Sequence, residues 1–142
     1  MASIGRIGLS TFALAASLSA PVVFAAQDTP TYDSSAVLMG SSTFKTYCAA
    51  CHGRTAQGDG PLADQLRFAP ADLTRISRRN GGKFPSDNVY RIIDGREAVK
   101  THGGTDMPVW GDAFLESREG YSPEKVREKI TELVHFLASI QE

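Results

Sequence analysis

The sequence predicts an all-α domain. Two stretches, around residues 40–52 and 122–140, carry apolar residues at the three- and four-residue intervals of an amphipathic helix. No stretch shows a clear alternation of apolar and polar residues, the pattern typical of a half-buried β-strand. A chain of 142 residues, 42% hydrophobic and 22% charged, has the composition of one ordinary globular domain. Its formal charge of only −1 argues against a nucleic-acid partner.

The C-terminal helix is predicted by its start and by its apolar stripe. Ser122 suits the N-cap, Pro123 suits the first helical position, and Glu124 favours the positive end of the helix dipole. The stripe recurs at intervals of four, three, four and three residues, through Val126, Ile130, Leu133, Leu137 and Ile140. We therefore expect one side of this helix to face the core.

A second helix is predicted earlier in the chain. The spacing i, i+3, i+4, i+7 places two aromatic side chains on the same face as two thiols, those of Phe44, Tyr47, Cys48 and Cys51. Ser41 or Ser42 can cap this helix. A further helix is expected between Ser86, as its cap, and Gly95, as its stop.

Residues 48–52 read Cys-Ala-Ala-Cys-His, which is the C-x-x-C-H signature of covalent haem attachment. On a helix, Cys48 and Cys51 lie on one face, so both sulfurs can reach the two vinyl groups on one edge of a porphyrin. The imidazole of His52 follows directly and is placed to ligate the iron. The sequence therefore predicts one covalent haem c, attached through Cys48 and Cys51 and ligated by His52.

Three other kinds of site use a pair of cysteines. A disulfide between Cys48 and Cys51, the two cysteines of the chain, would close almost no loop. A structural zinc site normally has four protein ligands, and no second cysteine pair is present to complete one. A thioredoxin-like dithiol is the remaining alternative, but the β-α-β pattern expected around it is not recognisable.

Residues 1–25 have the features of a secretory signal peptide. Arg6 precedes an apolar stretch at residues 7–18, and the small residues at 23–26 suit cleavage after Ala25 or Ala26. An uncleaved membrane anchor is the alternative, but polar residues dilute the apolar run below the roughly 18 residues of a spanning helix. We therefore expect export to the periplasm, with residues 26–39 as a flexible tether and residues 40–142 as the folded domain.

The haem motif, the Met-Pro pair at residues 107–108 and the terminal helix together resemble the class I cytochromes c. The resemblance extends over about residues 40–140. It implies three to four helices wrapped around one covalent haem, with the N- and C-terminal helices crossing. In that crossing Phe136, which stands in a Leu-x-x-aromatic pattern, would meet Gly40 and Phe44.

The resemblance also implies that Met107, followed directly by Pro108, is the second axial ligand of the iron. A soft thioether binds haem iron and raises its reduction potential, and the proline restricts the loop that holds it. His102 is the alternative ligand, since Met1 lies in the leader and Met39 precedes the haem helix.

The segments between the two motifs carry further expectations. A backbone carbonyl near Pro61, in the glycine-rich loop at residues 53–62, is expected to accept the N–H of His52, as it does in the resembling family. Pro70, Asp72 and Leu73 resemble the Pro-x-Asp-Leu segment of small bacterial cytochromes c, which implies that Leu73 contacts the haem edge. Trp110 is expected to pack against the haem rim or a propionate, or else to anchor its loop. A concentrated basic run, in which an arginine either pairs with a haem propionate or is simply solvated, comprises Arg75, Arg78, Arg79 and Lys83.

The resemblance implies a single-electron carrier rather than an enzyme, because an iron ligated by both His52 and Met107 has no vacant position for a substrate. We expect a monomer that works in a periplasmic or respiratory electron-transfer chain. Redox proteins would be its electron donors and acceptors, and its contact with membrane complexes would be peripheral. Two alternatives stay open. One is a cytochrome subunit fixed in a dehydrogenase or oxidase complex, and the other is a haem enzyme or gas sensor with a displaceable distal ligand.

Overall fold

The structure is a computed structural model that describes residues 32–96 and 107–142, and every regular element within these ranges is helical. The α-helices there are α1 (Ser34–Tyr47), α2 (Ala49–His52), α3 (Ile76–Arg79), α4 (Ser86–Asp94), α5 (Trp110–Leu115) and α6 (Pro123–Ser139). Two 3₁₀ turns, Ala63–Gln65 and Leu73–Arg75, lie between α2 and α3. The prediction of an all-α fold is confirmed for these ranges.

Helix α1 begins about two turns before the predicted cap. The carboxylate of Asp33 caps it, accepting the N–H of Ser35 at 2.9 Å and the hydroxyl of Ser35 at 2.7 Å. The predicted cap at Ser41 or Ser42 was wrong, because the cap at Asp33 lets the helix run through both serines. Residues 34–39, which the sequence suggested as part of a tether, are therefore helical.

Helices α1 and α6 pack against each other closely at Gly40. A Cβ atom added there would overlap the carbonyl oxygen of Glu132 and lie 2.9 Å from Cβ of Phe136. The buried ring of Phe44 packs with its centroid 5.2 Å from that of Phe136. The predicted meeting of Gly40, Phe44 and Phe136 is confirmed.

Helix α6 has the predicted start and the predicted apolar side. The hydroxyl of Ser122 accepts the N–H of Lys125 at 3.3 Å, and Pro123 occupies the first turn. Ile140, predicted as the last member of the stripe, follows the helix end and is half-buried. The buried residues of the helix are Val126, Ile130, Leu133, Val134, Leu137 and Ala138.

Helices α4 and α5 complete the described fold beside α6. Gly95 ends α4 with a φ of 70°, as predicted, whereas Ser86 is the first residue of that helix and makes no side-chain cap. Helix α5, which begins at Trp110, was not predicted. Its buried Phe114 joins the core formed by α1, α4 and α6.

Replacing Gly40 by alanine is expected to destabilise the protein, although alanine favours an isolated helix over glycine by about 1 kcal/mol. The added Cβ would overlap a backbone atom of α6, and we expect the free energy of unfolding to fall by about 2 kcal/mol. Denaturant unfolding measures the change. Ser42→Ala, at an exposed position of the same helix, is the control and should match or slightly exceed the parent. A Gly40→Ala variant as stable as the parent would contradict the close crossing.

Candidate functional site

One cavity of about 450 Å³ brings the predicted site residues together: Cys48, Cys51, His52 and Met107 all line it. The volume lies in the range of about 300–1,000 Å³ that is typical of sites for organic cofactors. The rest of the wall is mostly apolar. It comes from α1, the segment at residues 66–71, the 3₁₀ turn after residue 72, α4 and α6, and includes Leu73, Ile92, Ile93, Leu133 and Leu137.

Helix α2 and the residue before it supply three of the four predicted residues. Cys48 ends α1, where its N–H donates to the carbonyl of Phe44 at 2.9 Å. Its own carbonyl accepts the amides of Cys51 at 3.1 Å and His52 at 2.9 Å, so the chain re-enters a helix after one residue. Burial, with a smaller contribution from Cys51, raises the pKa of the Cys48 thiol to about 12. A free Cys48 thiol therefore stays protonated at neutral pH.

The loop at residues 53–62 folds back on the end of α2. Three of its amides, those of Gly58, Gly60 and Leu62, donate to the last three carbonyls of the helix at 2.8, 3.1 and 2.9 Å. Gly60 permits this approach, since a Cβ there would lie 2.6 Å from the carbonyl oxygen of Cys51. The loop therefore satisfies the helix end and fixes the orientation of the residues that line the cavity.

The ring of His52 is oriented by a backbone carbonyl. Its Nδ1 lies 3.2 Å from the carbonyl oxygen of Ala71. With the proton on Nδ1, the ring donates to this oxygen, and Nε2 is then the nitrogen that carries the lone pair. From the sequence, the carbonyl that accepts the N–H of His52 was expected in the loop near Pro61. In the structure, the carbonyl next to Nδ1 is that of Ala71, in the following segment.

The segment that carries Ala71 is held by Asp72. The carboxylate of Asp72 accepts the N–H of Thr74 at 3.0 Å and the hydroxyl of Thr74 at 2.5 Å, and it lies 3.3 Å from Nε of Arg75. The hydroxyl hydrogen bond is the main reason why the pKa of Asp72 is lowered. These contacts start the 3₁₀ turn and leave its first residue, Leu73, against the cavity as predicted.

Gln141, two residues after the end of α6, ties the same segment to the C-terminal helix. Its Oε1 accepts the N–H of Ser77 at 2.8 Å, and its Nε2 donates to the carbonyls of Leu73 at 2.8 Å and Leu137 at 2.7 Å. Because Leu73 and Leu137 both line the cavity, one side chain fixes two of its walls. The sequence analysis missed Gln141, since a single polar residue after a helix carries no periodic signal.

Met107 lies half-buried at the cavity wall, three residues before α5. Trp110 also lines the cavity. Its ring centroid lies 5.7 Å from that of Tyr47 and 5.4 Å from that of Phe114. Met39 is 51% exposed and is not among the lining residues. The alternative ligand at position 102 and the predicted leader at residues 1–25 lie outside the described residues.

Among the described side chains that line the cavity, Arg79 is the one with a permanent positive charge. Its Nη2 donates to the carbonyl of Asp72 at 2.7 Å. Of the other members of the predicted basic run, Arg75 pairs with Asp72, while Arg78 and Lys83 are exposed and do not line the cavity.

Comparison with known protein families gives one further finding. Residues 35–121 match the family described as cytochrome c oxidase, cbb3-type, subunit III. The chain belongs to this family of class I c-type cytochrome domains. No curated protein and no solved structure matched the chain significantly. The expectations of a cytochrome c fold and of a covalent haem c as cofactor are confirmed.

The donor set of this cytochrome c domain fits its cofactor. Two thiols, an imidazole and a thioether are the groups that attach haem c and ligate its iron, and the apolar wall suits the macrocycle. Within the described ranges, no group of three or more His, Cys, Asp and Glu side chains could hold a metal ion by itself. In the same ranges, no helix is both long and apolar enough to cross a membrane.

Replacing Gln141 by alanine is expected to lower the free energy of unfolding of the cytochrome by about 2 kcal/mol, because the N–H of Ser77 and the carbonyl of Leu73 lose their partner. Thermal or denaturant unfolding measures this loss. Glu142→Ala is the matched control, since the exposed side chain at that position can be removed while its backbone N–H still donates to the carbonyl of Thr74 at 2.9 Å. Equal stabilities of the two variants would contradict the role given to Gln141.

Proposed function

We propose that this protein is an exported single-electron carrier, whose haem c is attached through Cys48 and Cys51 and ligated by His52 and Met107. The observation that carries the proposal is that Met107, distant in sequence, lines the same apolar cavity as the neighbouring residues Cys48, Cys51 and His52. Membership of a cytochrome c family supplies the chemistry, which is haem-based electron transfer. When bound, the haem supplies an iron that alternates between its ferrous and ferric states.

The chain's own residues have distinct tasks in this proposal. Cys48 and Cys51, on one wall of the cavity, form the two thioether links. His52 would ligate the iron, and the carbonyl of Ala71 would accept its Nδ1–H, which fixes the ring and strengthens it as a donor. Met107 would supply its thioether as the second ligand of the iron, which favours the reduced state. Because the protein would itself supply both ligands, we propose a carrier rather than an enzyme.

The walls of the cavity contribute by excluding water and by placing charge. Apolar side chains from α4 and α6 lower the local polarity, which disfavours the more highly charged ferric state. We propose that Arg79 pairs with a haem propionate, since a guanidinium suits a carboxylate and this one is already held by the carbonyl of Asp72.

The location and partners of the protein follow from the same proposal. We propose that residues 1–25 are a cleaved leader, that the domain acts as a monomer in the periplasm, and that redox proteins reduce and oxidise it through short-lived contacts. A subunit fixed in an oxidase complex is the second candidate, because the matching family is described as an oxidase subunit. Gel filtration of a native extract separates the two, since a free carrier elutes at the size of one chain and a subunit elutes with its complex.

Met107→Ala tests the distal ligand. We expect the variant to keep its covalent haem and to lose the ferric absorption band that arises from sulfur-to-iron charge transfer. Its reduction potential should fall by an amount of the order of 0.1 V, within the roughly 0.8 V that axial ligands span. Carbon monoxide should bind the reduced variant.

Met39→Ala is the control for this substitution, because Met39 is exposed and does not line the cavity. It should keep the parent spectrum and potential. If Met107→Ala also kept them, His102 would become the candidate for the distal ligand. A parent protein that already binds carbon monoxide tightly would favour the gas-sensor or enzyme class.

Arg79→Gln tests the propionate pairing. Loss of a positive charge next to the haem stabilises the ferric state, so we expect the reduction potential to fall by an amount of the order of tens of millivolts at an effective dielectric constant of about 20. Without the guanidinium, the pKa of the propionate should rise, and the potential should depend more strongly on pH. Arg78→Gln removes the same charge from a side chain outside the cavity wall. Equal potentials and equal pH profiles in the two variants would rule out the pairing.

A further inference from the structure

A partly exposed ion pair, between a nearly buried Asp94 and an exposed Arg96, lies at the end of helix α4. The guanidinium of Arg96 donates from Nη2 to Oδ1 of Asp94 at 2.7 Å, and from Nε to Oδ1 and Oδ2 at 3.0 and 3.1 Å. The Asp94 side chain is only 12% exposed. A carboxylate at the C-terminal end of a helix opposes the helix dipole, so Asp94 is poorly placed there unless a cation holds it. Neither residue lines the cavity.

The ion pair lies against the start of helix α5. A Cβ added at Gly111 would lie 2.5 Å from Nε of Arg96 and 2.8 Å from the carbonyl oxygen of Asp94. Next to this contact, a Cβ added at Gly95 would lie 3.2 Å from Cα of Val109. The chain that leaves α4 and the chain that enters α5 are therefore in direct contact at two neighbouring points.

These contacts join the described residues that precede and follow the segment carrying Met107. Met107 lies two residues before Val109 and four before Gly111, so these contacts restrain the chain shortly after Met107. A closed loop has fewer conformations than an open one. Ligation by a residue in such a loop is favoured because part of the ordering is already done before the sulfur meets the iron.

We propose that the Asp94–Arg96 ion pair, which packs against Gly111, positions the Met107 thioether at the haem. This positioning makes it harder for other ligands to displace the thioether from the iron. The inference rests on the proposed function, in which Met107 is the distal ligand. Asp94, Arg96 and Gly111 are positioning residues, since they act through Met107 and do not touch the cavity. A purely structural pair would stabilise α4 without changing how often the sulfur leaves the iron.

Imidazole binding to the ferric, haem-loaded protein tests the proposal. Imidazole competes for the iron only when the sulfur has left, so its apparent affinity reports the fraction of protein with a displaced ligand. We expect Arg96→Gln to bind imidazole about tenfold more tightly than the parent, the factor expected from losing one charge-assisted hydrogen bond. The sulfur-to-iron absorption band should disappear at correspondingly lower imidazole concentrations.

Gly111→Ala tests the same contact without a change of charge. Alanine in α5 would stabilise the helix by its propensity alone, but its Cβ would overlap the ion pair. We therefore expect this variant also to bind imidazole more tightly. Arg91→Gln, which removes one positive charge from an exposed position of α4, is the control and should match the parent.

Arg96→Lys provides a milder change that keeps the charge but not the forked geometry. Its imidazole affinity should lie between those of the parent and Arg96→Gln. If Arg96→Gln does not accumulate, the two single variants Arg96→Lys and Gly111→Ala test the role of the ion pair. Parent-like affinities in all three variants would overturn the role of the ion pair. In that case, tight imidazole binding by Met107→Ala would mean that only the role of the ion pair fails and that Met107 remains the ligand. If Met107→Ala also matches the parent, the ligand assignment fails with it.

Discussion

The close packing of α1 on α6 at Gly40 sets the geometry of the rest of the described fold. A glycine at this point lets the backbone of one helix approach the carbonyl of Glu132 on the other, and Phe44 and Phe136 fill the space beside it. From this crossing α1 runs directly into Cys48, and the apolar side of α6 contributes Leu133 and Leu137 to the cavity wall. The haem motif and the C-terminal stripe are therefore parts of one packing arrangement.

Polar interactions support the cavity from behind its walls. The amides of the loop after α2 cap that helix, the carbonyl of Ala71 orients His52, and Gln141 joins the segment that begins at Leu73 to the end of α6. These groups satisfy one another, so the inner surface stays mostly apolar. Such a site suits electron transfer, because oriented side chains and a mostly apolar lining limit the rearrangement that accompanies a change of charge.

Features that depend on local chemistry could be predicted from the sequence, and features that depend on tertiary contacts could not. Helix α6 was predicted because its cap, its proline and its apolar stripe agree, and the haem motif was recognised from five adjacent residues. The start of α1 was misplaced because serine and aspartate are comparable caps, so the sequence offered several starts. The partner carbonyl of His52 and the contacts of Gln141 depend on segments that only the fold brings together. Helix α5 has six residues, too few to show a periodic pattern.

Intact-mass spectrometry of the denatured protein, purified from cells able to make c-type cytochromes and treated with a thiol-alkylating reagent, tests the central claim most directly. We expect the mass of the polypeptide plus one haem, with no alkylation at Cys48 or Cys51, because thioether links survive unfolding. A bare polypeptide alkylated at both cysteines would contradict the account.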